Sequence, residues 1–166
     1  MKRHVYLVGM PGSGKSSVGR SLAQLAGAKF VDLDASIEED AGTSIAEIFR
    51  ERGEETFRDL EEAALRRVAG DSGRSVVACG GGVVIRDSNR SVLRETGTVV
   101  YLRTPLATLR RRVKVGAPAR PLLRESEDLD RLYAQREPLY RGVADHVVET
   151  GRDPDVVAER IRAVLS

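Results

Sequence analysis

His4-Val5-Tyr6-Leu7-Val8-Gly9-Met10-Pro11-Gly12-Ser13-Gly14-Lys15-Ser16 decides the fold. Its first five residues form an apolar burst of strand length. From Ser16 to Ala26, Val18, Leu22 and Leu25 fall on one helical face. Between strand and helix, Gly9 to Ser16 satisfies G-x-x-x-x-G-K-[S/T] in the setting that gives this pattern meaning. Glycines let backbone N–H groups converge on phosphate oxygens, and the helix N-terminus adds partial positive charge. Lys15 is expected to reach the β- and γ-phosphates and Ser16 to place its hydroxyl on Mg2+. A plain glycine turn is the competing reading, disfavoured because pattern and context are satisfied together.

Outward from this loop, apolar bursts alternate with helical patterns. Strands are predicted at Phe30-Val31-Asp32-Leu33, Ser75 to Ala78 (running into Gly80-Gly81-Gly82), Thr98 to Leu102 and His146 to Val148. Two or three helices are predicted between Ser36 and Ala69, and others at Leu106 to Val113, about Asp128 to Arg141, and Asp153 to Leu165. Residues 114–124 form a Gly/Pro/Arg-rich loop. The alternation predicts an α/β fold: three layers, α/β/α, around a five-stranded parallel sheet; with its glycine loop the chain resembles the P-loop NTPases of the nucleoside monophosphate kinase-like kind. It is expected to be a single domain over 1–166, with a substrate-binding helical insert at about 33–61 and a lid at about 112–124. Ligands of such sheets bind beyond the carboxyl ends of the strands.

Composition narrows the function. With 166 residues and 41% hydrophobic content the chain can bury a core. A formal net charge of +2 offers no field for nucleic acid or a membrane surface. No stretch approaches the ~20 apolar residues that span a bilayer, and the run Val5 to Val8 is too short for a signal sequence. The lone Cys79 cannot form an internal disulfide, which suits a reducing cytoplasm. The expectation is a cytoplasmic monomer with small-molecule partners. Of 27 basic residues only Lys2, Lys15, Lys29 and Lys114 are lysine, leaving 23 Arg. Arginine forks bind carboxylate and phosphate, although codon bias explains many of them equally well.

The guanine-reading N-K-x-D motif is absent, since the single asparagine, Asn89, precedes Arg90. Neither His4 nor His146 begins the H-R-D of protein kinases. A small-molecule or nucleotide kinase remains. At the end of the second predicted strand, Asp32-Leu33-Asp34 would point two carboxylates the same way if the chain stays extended. Asp32 could then hold hydrated Mg2+ while Asp34 accepts and orients a substrate hydroxyl. Alternatively, Asp34 simply caps the following helix.

Six motifs together form a recognisable series: Gly9 to Ser16, Asp32-Leu33-Asp34, Phe57-Arg58 with Glu61, Gly80-Gly81-Gly82, Arg120-Pro121-Leu122-Leu123, and Arg136-Glu137-Pro138-Leu139-Tyr140. In order and spacing the chain resembles the shikimate kinases over nearly its whole length. The resemblance implies ATP-dependent phosphorylation of shikimate to shikimate 3-phosphate, with Mg2+, in chorismate and aromatic amino acid biosynthesis. It implies Lys15, Asp34 and Arg120 as catalytic residues, and Ser16 and Asp32 as metal ligands. Nucleotide would be bound by Gly12, Ser13, Gly14, Lys15, Ser16, Ser17, Arg112, Arg120, Arg152 and Pro154, with Arg112, Arg152 and Pro154 flanking adenine. The acceptor would be bound by Asp34, Arg58, Gly80, Gly81, Gly82 and Arg136. Ser17 stands where the family commonly has Thr, and Gly116-Ala117-Pro118-Ala119 before Arg120 is a further departure.

Without the resemblance, several of these residues read otherwise. Arg58 and Glu61 read as a solvated ion pair on a helix surface, and Arg136 as part of a polar helix face. The triple glycine reads either as a set of N–H donors to ring substituents or as an ordinary loop. Phe49 and Phe57 either wall a ring or pack in the core, and Cys79 reads as a small strand residue. Two rival functions stay open: a gluconate-type or other sugar-acid kinase, and a nucleotide-binding protein that has lost catalysis.

Overall fold

Strands covered on both faces must be apolar almost throughout, and the central ones here are. The structure, a computed structural model, describes residues 3–113, 126–151 and 153–166. Its strands are β1 (His4–Val8), β2 (Lys29–Asp32), β3 (Ser75–Ala78), β4 (Gly97–Arg103) and β5 (His146–Glu149). All pair in parallel, in the order β2-β3-β1-β4-β5, with Leu7 of β1 level with Ala78 on one side and Val100 on the other. The helices are α1 (Lys15–Ala26), α2 (Leu33–Ala41), α3 (Ile45–Ala69), α4 (Asp87–Thr96), α5 (Leu106–Arg112), α6 (Ser126–Val143) and α7 (Pro154–Leu165).

Alternate strand residues feed two cores, which gives the expected three layers. On one face Leu7, Val76, Val100 and Leu102 pack against Val18 and Leu22 of α1 and Val157 and Ile161 of α7. On the other, Tyr6, Val8, Val77, Val99 and Tyr101 pack against residues of α3, α4 and α6, including Phe57, Leu65, Leu93 and Tyr140. Among the described residues, no helix is long and apolar enough to cross a membrane.

The structure corrects two expectations. β2 ends at Asp32, and α2 begins at Leu33, so Asp32-Leu33-Asp34 is not extended. The Asp32 carboxylate caps α2, accepting from the Ala35 N–H at 3.2 Å, which fixes the helix start one residue before Asp34. Asp32, not Asp34, is therefore the cap, and Asp34 occupies the first helical turn. The second correction is α4, which the sequence reading passed over. Its ten residues include only Val92 and Leu93 as large apolar side chains, and Arg86 at its start gives no side-chain cap. In α3, Gly53 breaks the helical path with φ 83° and ψ 167°, so the helix is kinked just before Phe57 and Arg58.

Candidate active site

The loops that leave the carboxyl ends of β1, β2, β3 and β5 surround one cleft of about 630 Å³. Every expected site residue within the described regions lines it. These are Gly12, Ser13, Gly14, Lys15, Ser16, Ser17, Asp32, Asp34, Arg58, Gly80, Gly81, Gly82, Arg112, Arg136 and Pro154. Arg120 and Arg152 lie outside the described residues, as does the expected lid from residue 114 onward.

The P-loop forms one end. Gly12 (φ 84°) and Gly14 (φ 88°) take left-handed backbone that side-chain-bearing residues avoid, and Gly14 starts α1. Lys15 Nζ donates to the carbonyl oxygens of Gly9 at 2.8 Å and Met10 at 2.9 Å. Burial pushes the Lys15 ammonium down to about 8, with the nearby Asp34 carboxylate opposing the shift. The Ser16 hydroxyl donates to Asp32 Oδ2 at 2.8 Å, so two oxygens of the expected metal pair already meet. Arg112 reaches across the cleft mouth, donating to Gly12 O at 3.3 Å and Gly151 O at 3.4 Å.

The other end gathers buried charge. Arg58 and Arg136 are 6% and 5% exposed and Glu61 is 1% exposed. Arg58 Nη1 donates to Glu61 Oε1 at 3.0 Å. The surface-pair reading of Arg58 and Glu61 is thereby overturned. α3 turns this polar stripe inward, toward the cleft, where apolar periodicity alone would have assigned it to solvent. Burial raises both the Glu61 and the Asp34 carboxyls above their ordinary range. Arg58 opposes the shift at Glu61, and Lys15 opposes it at Asp34. Asp34 Oδ1, Glu61 Oε2 and Arg58 Nε are buried with no protein hydrogen-bond partner.

The triple glycine explains how so many groups fit. None of the three has a positive φ, so conformational freedom is not what these positions require. They require the absence of a side chain. A Cβ on Gly80 would lie 2.6 Å from Asp34 Oδ1 and 3.0 Å from Glu61 Oε2. One on Gly81 would lie 3.0 Å from Pro11 Cδ and 3.3 Å from Arg136 Nη1, and one on Gly82 only 2.2 Å from Arg58 Nη1. Phe49 and Phe57 line the cleft and also pack on each other, with ring centroids 4.9 Å apart, and Phe57 is buried in the core, as the packing reading expects. Cys79 lines the cleft as well, buried and with its thiol strongly raised by burial, which suits an inert wall residue. Sequence reasoning gave no role to Tyr140, although it closes the motif Arg136-Glu137-Pro138-Leu139-Tyr140, one helical turn after Arg136.

The cleft thus joins the glycine loop to a second compartment that pairs two cations, Arg58 and Arg136, with two carboxylates, Asp34 and Glu61. The family model described as shikimate kinase matches residues 11–166. A shikimate kinase of Halorhodospira halophila is 47% identical over 165 residues, covering 97% of this chain and 92% of that protein. The solved shikimate kinase of Acinetobacter baumannii, in complex with shikimate, superposes with a TM-score of 0.94 at 37% identity, covering 99% of this chain and 93% of the other. A gluconokinase from Sinorhizobium meliloti, 21% identical with a TM-score of 0.58 over 98% of this chain and 95% of its own, shares the fold alone.

Proposed function

The chain belongs to the shikimate kinase family, and from that membership and the cleft we infer that it transfers the γ-phosphoryl group of ATP to shikimate, yielding ADP and shikimate 3-phosphate. The observation that carries this reading is the burial of Arg58 and Arg136 in the same cleft as the P-loop. Buried guanidinium groups are costly unless an anion answers them, and a carboxylate matches their fork.

In this reading Lys15 exchanges its loop carbonyls for phosphate oxygens and stabilises charge as transfer proceeds. Asp34 holds the acceptor hydroxyl in line and takes its proton. The hydroxyl oxygen bonds to the γ-phosphorus as the bond to the β–γ bridging oxygen breaks. Arg58 and Arg136 bind the acceptor carboxylate, Glu61 keeps Arg58 oriented, and Gly80, Gly81 and Gly82 leave room for the ring. Ser16 and Asp32 fit Mg2+, because a hydroxyl and a carboxylate oxygen stand 2.8 Å apart at the phosphate end. When bound with ATP, the ion would neutralise phosphate charge. Gly12, Ser13, Gly14 and Ser17 cradle the phosphates, while Arg112, Arg152 and Pro154 flank adenine. Residues 33–61 serve as the acceptor-binding insert, and residues 112–124 as a lid that brings Arg120 onto the transferring group.

Turnover of Mg-ATP by purified protein against a panel of shikimate, gluconate and acceptor-free buffer tests this. Shikimate is expected to be the preferred acceptor by a wide margin. Faster turnover of gluconate would favour the sugar-acid kinase, and nucleotide binding without any turnover would favour a protein that has lost catalysis.

A further inference from the structure

Tyr140 is wholly buried at the junction of three parts of the cleft. Its hydroxyl donates to Gly81 O at 2.5 Å and lies 3.9 Å from Met10 Sδ in the P-loop. One turn back on α6, the Arg136 guanidinium lies beside the same backbone, its Nη1 3.3 Å from the point that a Cβ on Gly81 would occupy. The ring is fixed from behind by Tyr101, with centroids 5.2 Å apart. The Tyr101 hydroxyl is in turn held by the Glu137 carboxylate, which also takes Arg141.

A tyrosine hydroxyl has one proton, and here it is committed to Gly81 O. Burial pushes the phenol up to about 12, so it keeps that proton through the neutral range. The Gly81 backbone is thus held by the Tyr140 hydroxyl and faced by the Arg136 guanidinium.

We propose that Tyr140 is a positioning residue for acceptor recognition, its hydroxyl fixing the Gly81 backbone, and with it the Arg136 that lies against Gly81, in one geometry beside the P-loop. This rests on the reading of Arg136 as a partner of the acceptor carboxylate. Tyr140 itself is placed to touch neither reacting group; it acts through Arg136 and Gly81.

Tyr140→Phe keeps the ring and its packing on Tyr101 and removes only the hydroxyl. The acceptor KM is expected to rise about tenfold, the size typical of losing a supporting hydrogen bond, with kcat and the ATP KM within about twofold of wild type. Tyr101→Phe, which deletes the hydroxyl of the neighbouring ring and its bond to Glu137, should leave the acceptor KM unchanged. In an Arg136→Ala background, adding Tyr140→Phe should raise the acceptor KM by less than about threefold, because its target is gone. A Tyr140→Phe effect no larger than that of Tyr101→Phe, or equal in both backgrounds, overturns the inference while leaving Arg136 in its role. An Arg136→Ala protein that binds acceptor as wild type does overturns the reading of Arg136, and this inference with it.

Discussion

Adding one carbon at Gly82 tests the acceptor end most directly. In Gly82→Ala the new methyl would stand 2.2 Å from Arg58 Nη1, 2.6 Å from Cζ and 2.7 Å from Nη2. Ordinary contact begins at 3.4 Å, so the guanidinium must retreat by at least 3.4 minus 2.2, or 1.2 Å. It has nowhere easy to go. Arg58 is 6% exposed, and its ion pair with Glu61 at 3.0 Å must lengthen or break as it moves. A displacement of about 1 Å in a positioning group costs about 10²-fold in turnover efficiency. Losing a charge-assisted hydrogen bond, about 1.5–3 kcal/mol, gives a similar factor of roughly ten to a hundred and fifty. Steady-state kinetics should therefore show the acceptor KM of Gly82→Ala raised by about 10²-fold, with the ATP KM within about twofold. Urea unfolding should show a loss of about 1–3 kcal/mol from overpacking. Gly142→Ala on α6, where an added Cβ meets nothing within 4 Å, serves as the control: it should leave the acceptor KM unchanged and should raise rather than lower stability, by about 0.5–1 kcal/mol. An acceptor KM for Gly82→Ala within about threefold of wild type would refute the idea that this glycine exists to make room for Arg58.

Asp34→Asn should lower kcat by about 10²-fold or more, since in the proposed mechanism the proton acceptor is lost. Because burial holds the folded Asp34 carboxyl above its unfolded value of 3.8, ionised Asp34 lowers stability as pH rises through that window. The asparagine variant should accordingly match or exceed wild type in urea resistance at neutral pH. Undiminished turnover, or a clear loss of stability, would count against it. Lys15 titrates near 8 when folded and at 10.5 when unfolded, so the unfolded chain holds more protons between these values and stability rises with pH across them. Phosphates restore the charged form, so ATP binding at pH 8 should take up about half a proton, read by calorimetry in buffers of different ionisation heat. The same uptake in Lys15→Met would show that another group is responsible. Glu61→Ala leaves buried Arg58 without its closest anion and should cost about 3–5 kcal/mol in urea unfolding, besides weakening acceptor binding. Wild-type stability in that variant would mean that Glu54, 3.4 Å from Arg58 Nη2, suffices as its partner.

What could be read from the sequence follows from what local patterns encode. Strand β1, the glycine loop and α1 were legible because apolar spacing, left-handed glycines and a helix start coincide over a short span. Asp32 and Asp34 were placed in the right cleft for the wrong reason. Both carboxylates line it, but through a helix start that a two-residue strand period does not describe. Helix α4 was missed because two large apolar residues in ten give periodicity little to work with. The burial of Arg58, Glu61 and Arg136 is not a property of their own segments at all. It arises from side chains brought together by α3, α6 and the β3 loop, and only the resemblance to a known family suggested it. The triple glycine was legible as a motif, yet its physical reason, three missing side chains rather than three flexible residues, needs the coordinates of Asp34, Arg136 and Arg58.

The place of β1 in the sheet has a consequence for how the protein comes into being. β1 pairs with β3, which begins at Ser75, and with β4, which begins at Gly97, and with nothing near it in sequence. The Gly9-to-Ser16 loop springs from that strand and also leans on β4, since a Cβ on Gly9 would lie 2.7 Å from Leu102 O. On a ribosome, the complete nucleotide motif emerges first but stays without its flanking strands until residues past Leu102 have followed. Closing such distant pairs is entropically slow, so the folding step that shapes the loop is a late and long-range one. A nascent chain therefore gains affinity for ATP only after most of its sequence has been made, and an N-terminal fragment bearing the intact Gly9-to-Ser16 motif is expected to bind none.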